Sequence, residues 1–429
     1  MMRTLLLCLV ALPLQAETLA DAWNLALERN NALAAVRSQV DAAQADADAA
    51  RAERWPKLSV DGSYQRFGDA PAFSFPVDGQ DFLSPPLVDD DDFYTARAHV
   101  ELPLFTAGRI TAGIESAELG ARAAGSASDS AVQDLKLAVA SAYVDVLRAG
   151  RSLAAAESQV DSLRSLVNDV TVMVEQETVA KNDLLAAKLT LAEAEQDRLR
   201  AANRLSLARA QYNRLLGEPL DRVPELAELH GAPPDTATAD NNSLDALVAT
   251  AIARRSDLAS LDARTRSLDE RARSARAAGW PQLSLMADYQ YLENQVLDRE
   301  DFSLVGIGFN WTVFDGGRIR NQAESFANAG RAAGRSRDDL RSRIELDVRQ
   351  AWLDREEANA RVAVTREAVA QAEENLRVAR ELYSVGLTTN TVVLDAEALR
   401  LKAVSNADNA RFDQVLSDIR LARATGGLQ

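Results

Sequence analysis

The chain is written twice, and that duplication constrains its fold more than any other feature. Trp55-Pro56-Lys57-Leu58-Ser59 returns as Trp280-Pro281-Gln282-Leu283-Ser284, 225 positions on. Phe105-Thr106-Ala107-Gly108-Arg109-Ile110 returns as Phe314-Asp315-Gly316-Gly317-Arg318-Ile319, 209 positions on. The 209 spacing then holds, pairing Ala142-Tyr143-Val144-Asp145 with Ala351-Trp352-Leu353-Asp354 and Leu216-Gly217 with Thr425-Gly426. Leu19-Ala20-Asp21-Ala22-Trp23 and Leu244-Asp245-Ala246-Leu247-Val248 open the two copies. The first copy thus carries 16 extra residues between its Trp-Pro and its Phe-x-x-Gly-Arg. A length change confined to one interval marks a surface loop. The copies span 17–217 and 244–429; the 218–243 segment, with Pro219, Pro224, Pro233 and Pro234 among polar residues, reads as a linker or irregular capping segment.

Between those two motifs each copy alternates apolar and polar residues. Leu58, Val60, Gly62 and Tyr64 alternate with Ser59, Asp61, Ser63 and Gln65, and Ala96, Ala98, Val100, Leu102 and Leu104 with Thr95, Arg97, His99 and Glu101. Leu283, Leu285, Ala287, Tyr289 and Tyr291 alternate with Ser284, Met286, Asp288 and Gln290, and Val305, Ile307, Phe309, Trp311 and Val313 with Gly306, Gly308, Asn310 and Thr312. Period two predicts strands with one apolar and one polar face, over about 57–66, 94–105, 281–292 and 302–314. Runs of about 9 to 11 residues suit a tilted membrane strand, whereas soluble strands are mostly nearer 5 or 6. Tyr and Trp near the strand ends suit an interfacial girdle. Each pair is a hairpin. The first has the longer tip, with Phe73, Phe75, Pro85, Pro86 and an acidic run from Asp89 to Asp92. The run reads as a solvated loop rather than a calcium site, which needs ligands at spaced positions.

The remainder is rich in Ala and Leu, with aromatics at only 5%, a composition that favours long helices. No proline interrupts about 111–174 or 317–383, and some 65 helical residues reach roughly 100 Å. Shorter partners are predicted over about 183–216 and 390–424, and one helix precedes each strand pair, over about 19–54 and 244–279. Leu and Val recur at helical spacing, so these helices pack on one another.

Arg3, an apolar run over 5–12 and Leu14-Gln15-Ala16 predict a secretory signal peptide over 1–16. The run is far short of the roughly 20 residues that a spanning helix needs. Cys8 lies inside it; acylation there would leave only seven residues ahead, so cleavage after Ala16 is preferred and the exported chain has no cysteine. Net charge is −16, or −17 without Arg3, which argues against a nucleic-acid partner. With His99 and His230 far apart in sequence, no metal or other cofactor is expected. No phosphate loop or nucleophile motif points to an enzyme.

Four membrane strands cannot stand alone, because an open sheet leaves edge N–H and C=O groups in hydrocarbon. Spanning barrels need at least 8 strands, so the chain must share a barrel with copies of itself. Two copies give 8 strands and a packed interior; three give 12 and begin to leave a lumen.

The ordered pattern of Trp-Pro, strand pair, Phe-x-x-Gly-Arg and long helices, present twice, resembles the TolC-like outer-membrane efflux protein family from about Leu19 to Gly427. The strongest local match is Tyr383-Ser-Val-Gly386-Leu387-Thr388-Thr-Asn-Thr-Val392-Val-Leu394-Asp395-Ala396, which looks like the family's second helix-hairpin tip. Glu177-Thr-Val179-Ala180-Lys-Asn-Asp183-Leu184 resembles the first tip. The resemblance implies an α+β membrane protein with four membrane strands and long helices per protomer. Three protomers would share a 12-stranded β-barrel in the outer membrane and a 12-helix α-barrel in the periplasm. It further implies an exit duct for a tripartite efflux pump or type I secretion system, whose partners are a periplasmic adaptor, an inner-membrane transporter and outer-membrane lipid. Asp183, Tyr383 and Asp395 match gate positions; Val179, Gly386 and Leu387 match the adaptor-docking tips; Gly108, Arg109, Gly317 and Arg318 match the strand-to-helix turns. One known family member has an arginine where this chain has Thr388 and an acid where it has Val392, and the family's usual glycine is Glu177 here, so the implied restraint is weaker here or built from other residues. Asp183 also reads as an N-terminal helix cap, and Asp395 as an ordinary exposed helix acid. The rival architectures are a periplasmic adaptor-like protein and a helical scaffold without a pore; neither needs membrane-length strands.

Overall fold

The computed structural model describes residues 16–68, 75–77, 80–83, 92–229, 231, 243–293 and 298–428. Residues 1–15 of the predicted signal segment with Cys8, most of the acidic tip, His230 and residues 232–242 of the linker therefore lie outside the described residues. The elements run α1 (Leu19–Arg29), α2 (Asn31–Ala52), β1 (Lys57–Arg66), β2 (Phe75–Val77), β3 (Gln80–Leu83), β4 (Asp92–Phe105), α3 (Arg109–Glu175), α4 (Lys181–Leu216), α5 (Leu244–Arg254), α6 (Ser256–Ala277), β5 (Gln282–Leu292), β6 (Asp301–Asn310), α7 (Arg318–Ser384) and α8 (Asn390–Ala424). They form two compact units, each drawing on both halves of the sequence. One holds residues up to Ser38 with 127–258 and 339–429, and the other holds 39–126 and 259–338.

The second unit is built on a four-stranded antiparallel sheet in the order β1-β4-β5-β6. Its register aligns Leu58 with Val100, Val100 with Ala287, and Ala287 with Val305, so all four apolar sets share one face. The predicted fourth strand is too long: β6 stops at Asn310, which pairs with Gln282. Pro281 precedes Gln282 and has no N–H to extend the ladder. Trp311 instead donates from Nε1 to the Gly279 carbonyl at 3.2 Å. The short β2–β3 hairpin in the first tip was not legible in the sequence. Beside the sheet, Ser116 and Ser267 exchange hydroxyl-to-carbonyl bonds of 2.8 and 2.7 Å between α3 and α6.

In the first unit a core of Leu19, Trp23, Val139, Tyr143, Tyr212, Phe412 and Ile419 fills the space between helices. Its polar centre is Glu17. The Glu17 N–H donates to the Glu225 carbonyl at 2.8 Å, and the Glu17 carbonyl accepts from the Ala227 N–H at 3.0 Å. Its carboxylate accepts from the Tyr212 hydroxyl and, at 2.6 Å, from Arg222. The Tyr143 hydroxyl lies 2.8 Å from the Glu17 carbonyl and 2.7 Å from that of Ala227. Burial, reinforced by Glu17, pushes both tyrosine hydroxyls well above their ordinary pKa.

Each predicted pre-strand helix is in fact two. Asn30 turns extended at ψ 116° between α1 and α2, its amide donating to the Leu215 carbonyl and accepting from the Leu33 N–H. Arg255, 225 positions on, turns extended at ψ 120° between α5 and α6. It is buried, with its guanidinium on Asp257 at 2.6 Å and Asp347 at 3.0 Å. These tertiary bonds hold a break that no proline or glycine announces. The left-handed residues also repeat: Ala107 and Gly316, Gly108 and Gly317, Glu177 and Gly386, Gly217 and Gly426 are all 209 apart. Gly217 and Gly426 meet equivalent neighbours, for an added Cβ would lie 2.7 Å from the Arg29 carbonyl oxygen and 3.1 Å from the Arg254 carbonyl carbon.

Gly217→Ala and Gly426→Ala combine a left-handed backbone with a steric clash. Each is expected to cost about 1–3 kcal/mol in thermal unfolding followed by circular dichroism. Neutral Tyr143 and Tyr212 stabilise the fold fully below the unfolded tyrosine pKa of about 10. Above it only the unfolded phenols ionise. The unfolding free energy should therefore fall as pH rises, by about 1.4 kcal/mol per pH unit for each tyrosine, less steeply in Tyr212→Phe, as denaturant titrations at several pH values would show.

Candidate functional site

Two surfaces carry the chemistry, and each is built by its own unit. The first is the sheet. On its apolar face Leu58, Val60, Val305, Ile307 and Phe309 are 64% to 74% exposed, so nothing among the described residues covers them. In water such a face would be a large exposed apolar patch, which marks an interaction surface. Aromatic side chains border it at both ends. Exposed Trp55, Phe105, Trp280, Trp311 and Phe314 lie at the helix end, and Tyr64, Tyr94 and Tyr289 toward the tips. Tyr64 and Tyr94 are register partners with ring centroids 5.1 Å apart. The opposite face is polar. Asp288 receives Arg97 at 2.5 Å and the His99 Nδ1 at 2.9 Å, and Ser63 meets Thr95 at 2.7 Å. β1 and β6 are the edges, each paired on one side only among the described residues. No helix among the described residues is long and apolar enough to cross a membrane.

The predicted strand-to-helix turns stand at the sheet's lower end. Gly108 and Gly317 are left-handed at φ 84° and 86°, and Arg109 and Arg318 begin α3 and α7. In the second copy the Asp315 carboxylate accepts the Gly317 and Ile319 N–H groups at 2.9 and 2.8 Å, capping α7. In the first copy Thr106 stands there, and its carbonyl accepts the Arg109 N–H.

The second surface is the pair of helix-hairpin tips, α3–α4 and α7–α8. Both helices end in the same motif: the Thr178 N–H bonds back to the Met173 carbonyl, and the Leu387 N–H to the Leu382 carbonyl, each at 2.9 Å. The residue ahead must be left-handed. It is Gly386 at φ 74° in one tip and Glu177 at φ 56° in the other, so Glu177 holds a conformation costing roughly 1–2 kcal/mol for a side chain.

Under the tips Val170, Leu376, Ala379, Tyr383, Val393 and Ala396 form a small core, with Val179 and Leu184 half-buried against it. Tyr383 and Asp183 are brought together. Tyr383 is buried with its hydroxyl unpartnered among the described residues, and burial and then the Asp183 carboxylate push that hydroxyl's pKa up. Asp183 is not the cap of α4. Ala180 holds that position without a side-chain bond, and Asp183 sits in the first turn. Asn390 is buried, donates to the Asp183 carbonyl at 3.2 Å and leaves its own carbonyl oxygen unpartnered. Asp395 stands apart, exposed on α8 and free of ion pairs among the described residues, while Gly386 and the 75%-exposed Leu387 stand at the tip.

Sequence reasoning missed Glu397. It is buried between Arg380 at 3.1 Å and Arg400 at 3.0 Å, and Arg380 also reaches the Ser162 hydroxyl at 2.5 Å. The network ties α7, α8 and α3. The three-residue spacing of Glu397 and Arg400 was visible, but burial was not.

The outer membrane efflux protein family model matches residues 22–218 and 247–427. The chain is 26% identical to the outer membrane protein TolC of Vibrio cholerae over 427 residues, covering 96% of this chain and 91% of that protein. The solved outer membrane protein VceC from Vibrio cholerae superposes with a TM-score of 0.79 at 20% identity, covering 95% of this chain and 96% of that one. The open-state MtrE outer membrane channel of Neisseria gonorrhoeae gives 0.75 at 18% identity, covering 96% and 89%.

Glu177→Gly is expected to raise unfolding stability by about 1 kcal/mol, as a glycine relieves the left-handed strain. Tyr383→Phe should change it by less than about 0.5 kcal/mol, since the hydroxyl it removes has no partner. A loss well above that would reveal a bond to Asp183.

Proposed function

The chain belongs to the outer membrane efflux protein family, and from that premise we propose that it is the exit duct of a tripartite efflux pump or a type I secretion system. It is an outer-membrane channel with a large periplasmic helical extension. Cargo reaches it from an inner-membrane transporter through a periplasmic adaptor and leaves to the exterior. Family members are channels rather than enzymes.

The observation that carries this reading is the open sheet with a bare apolar face. Its strands of 10, 14, 11 and 10 residues are long enough to cross a bilayer when tilted. β1 and β6 run in opposite directions, so β6 of one copy meets β1 of the next antiparallel, and cyclic symmetry repeats that joint without a break. Three copies make a 12-stranded barrel with a lumen, lined by the face that bears Arg97, His99 and Asp288. The apolar face and its aromatic girdles then meet outer-membrane lipid.

The copies 17–217 and 244–429 act as two structural repeats per protomer joined by 218–243, after removal of a signal peptide over 1–16. Asp183 and Tyr383 stand at the gate, where the first tip packs on the second. Asp395, exposed and unpaired, forms a carboxylate ring at the periplasmic entrance that favours cations. Val179, Gly386 and Leu387 belong to the tips that dock the adaptor.

The protein extracted from the outer-membrane fraction should scatter light, after correction for detergent, as a trimer. A monomer that needs no detergent would sink the channel reading. In bilayer recordings Asp395→Asn should lower the cation-to-anion permeability ratio several-fold with little change in open conductance. An unchanged ratio rejects the carboxylate ring.

A further inference from the structure

The two ends of the sheet differ in charge. Beside the tips stand Asp92, Glu293, Asp298, Glu300 and Asp301. At the helix end, level with Trp55, Trp280 and Phe314, stand exposed Arg54, Lys57, Arg276, Arg318 and Arg320. Acids near that level are engaged or face a collar cation: Glu53 lies 3.6 Å from Arg109, Asp315 caps α7, and Glu101 is the register partner of Lys57. In a chain of net charge −16, this basic collar is local.

Within the collar, α6 and α7 flank a groove of about 640 Å³. Arg276, Ile319 and Arg320 line its end nearest the sheet, and Arg331 its far end. The Arg276 and Arg320 side chains make no hydrogen bond or ion pair among the described residues, whereas Arg331 bonds to Asn328. Asp269 and Glu324 also line the groove. Asp269 lies seven residues before Arg276, about 10 Å farther from the sheet along the helix, and Glu324 one turn beyond Arg320. The end beside the aromatic girdle is therefore cationic and unpaired.

We propose that this end of the groove binds the phosphate headgroup of an anionic phospholipid from the periplasmic leaflet, held by Arg276 and Arg320. The inference rests on the reading of the sheet as part of a membrane barrel. Guanidinium groups present paired donors that match phosphate oxygens. The exposed Trp280 and Phe314 alongside offer an apolar path for the acyl chains. The lipid then fixes the depth at which the barrel leaves the bilayer.

The test is native mass spectrometry of the trimer extracted from outer membranes, exchanged into mild detergent with phosphatidylglycerol and phosphatidylcholine at equal mole fraction. Wild type should retain phosphatidylglycerol several-fold over phosphatidylcholine, and high salt should erase the preference. Arg276→Gln with Arg320→Gln should cut phosphatidylglycerol retention on the order of tenfold with the trimer intact, while the double Lys variant keeps most of it. Equal retention of the two lipids by wild type, or an unchanged preference in the double Gln variant, overturns the proposal. So does displacement of the lipid by inorganic phosphate alone, which would make this a site for the free ion. A monomeric wild type would remove the barrel premise itself, a result distinct from a trimer without lipid preference.

Discussion

A peptide N–H or C=O left unpaired in hydrocarbon costs several kcal/mol, and β1 and β6 each turn one row of them outward. The rest of the molecule can be understood from that demand. A four-stranded sheet with a bare apolar face has no stable existence in water, and with open edges none in lipid. In the proposed barrel, closure against identical neighbours satisfies both conditions. An even number of antiparallel strands per chain makes such closure possible without reversing any strand.

Duplication is how the chain supplies that sheet. The two copies are not separate lobes. Each compact unit takes pieces of both, and β4 from the first copy pairs directly with β5 from the second. The correspondence between the copies nevertheless persists in backbone detail. Thr18 and Ser243, 225 apart, both cap the first helix of their copy through the side chain, and the left-handed positions recur 209 apart. The copies differ more in side chains than in backbone. Glu177 keeps the left-handed turn that its partner Gly386 adopts without strain.

Features governed by local periodicity were legible in the sequence. β1 and α8 fall on the residues that alternation and helix signals predict, and the long helices α3 and α7 end within a few residues of expectation. Features governed by distant partners were not. The breaks at Asn30 and Arg255 depend on Leu215 and on Asp347, and the end of β6 depends on where its partner β5 begins. At the tips the sequence singled out Tyr383 and Asp183 but not Asn390 or Glu397. Their importance comes from burial, and an Asn or Glu on an Ala-rich helix gives no local sign of being enclosed.

Glu17 has a further consequence for how the chain can fold. Its hydrogen-bond partners lie between Tyr143 and Ala227, so Glu17 is bonded to residues that emerge much later. Such contacts of long sequence separation slow folding, because a large loop must close before they form. A chain threaded across a membrane from its N-terminus would present Glu17 well before its partners, the last of them some two hundred residues later. In that order, Glu17 can complete its bonds only after the chain as far as Ala227 is present.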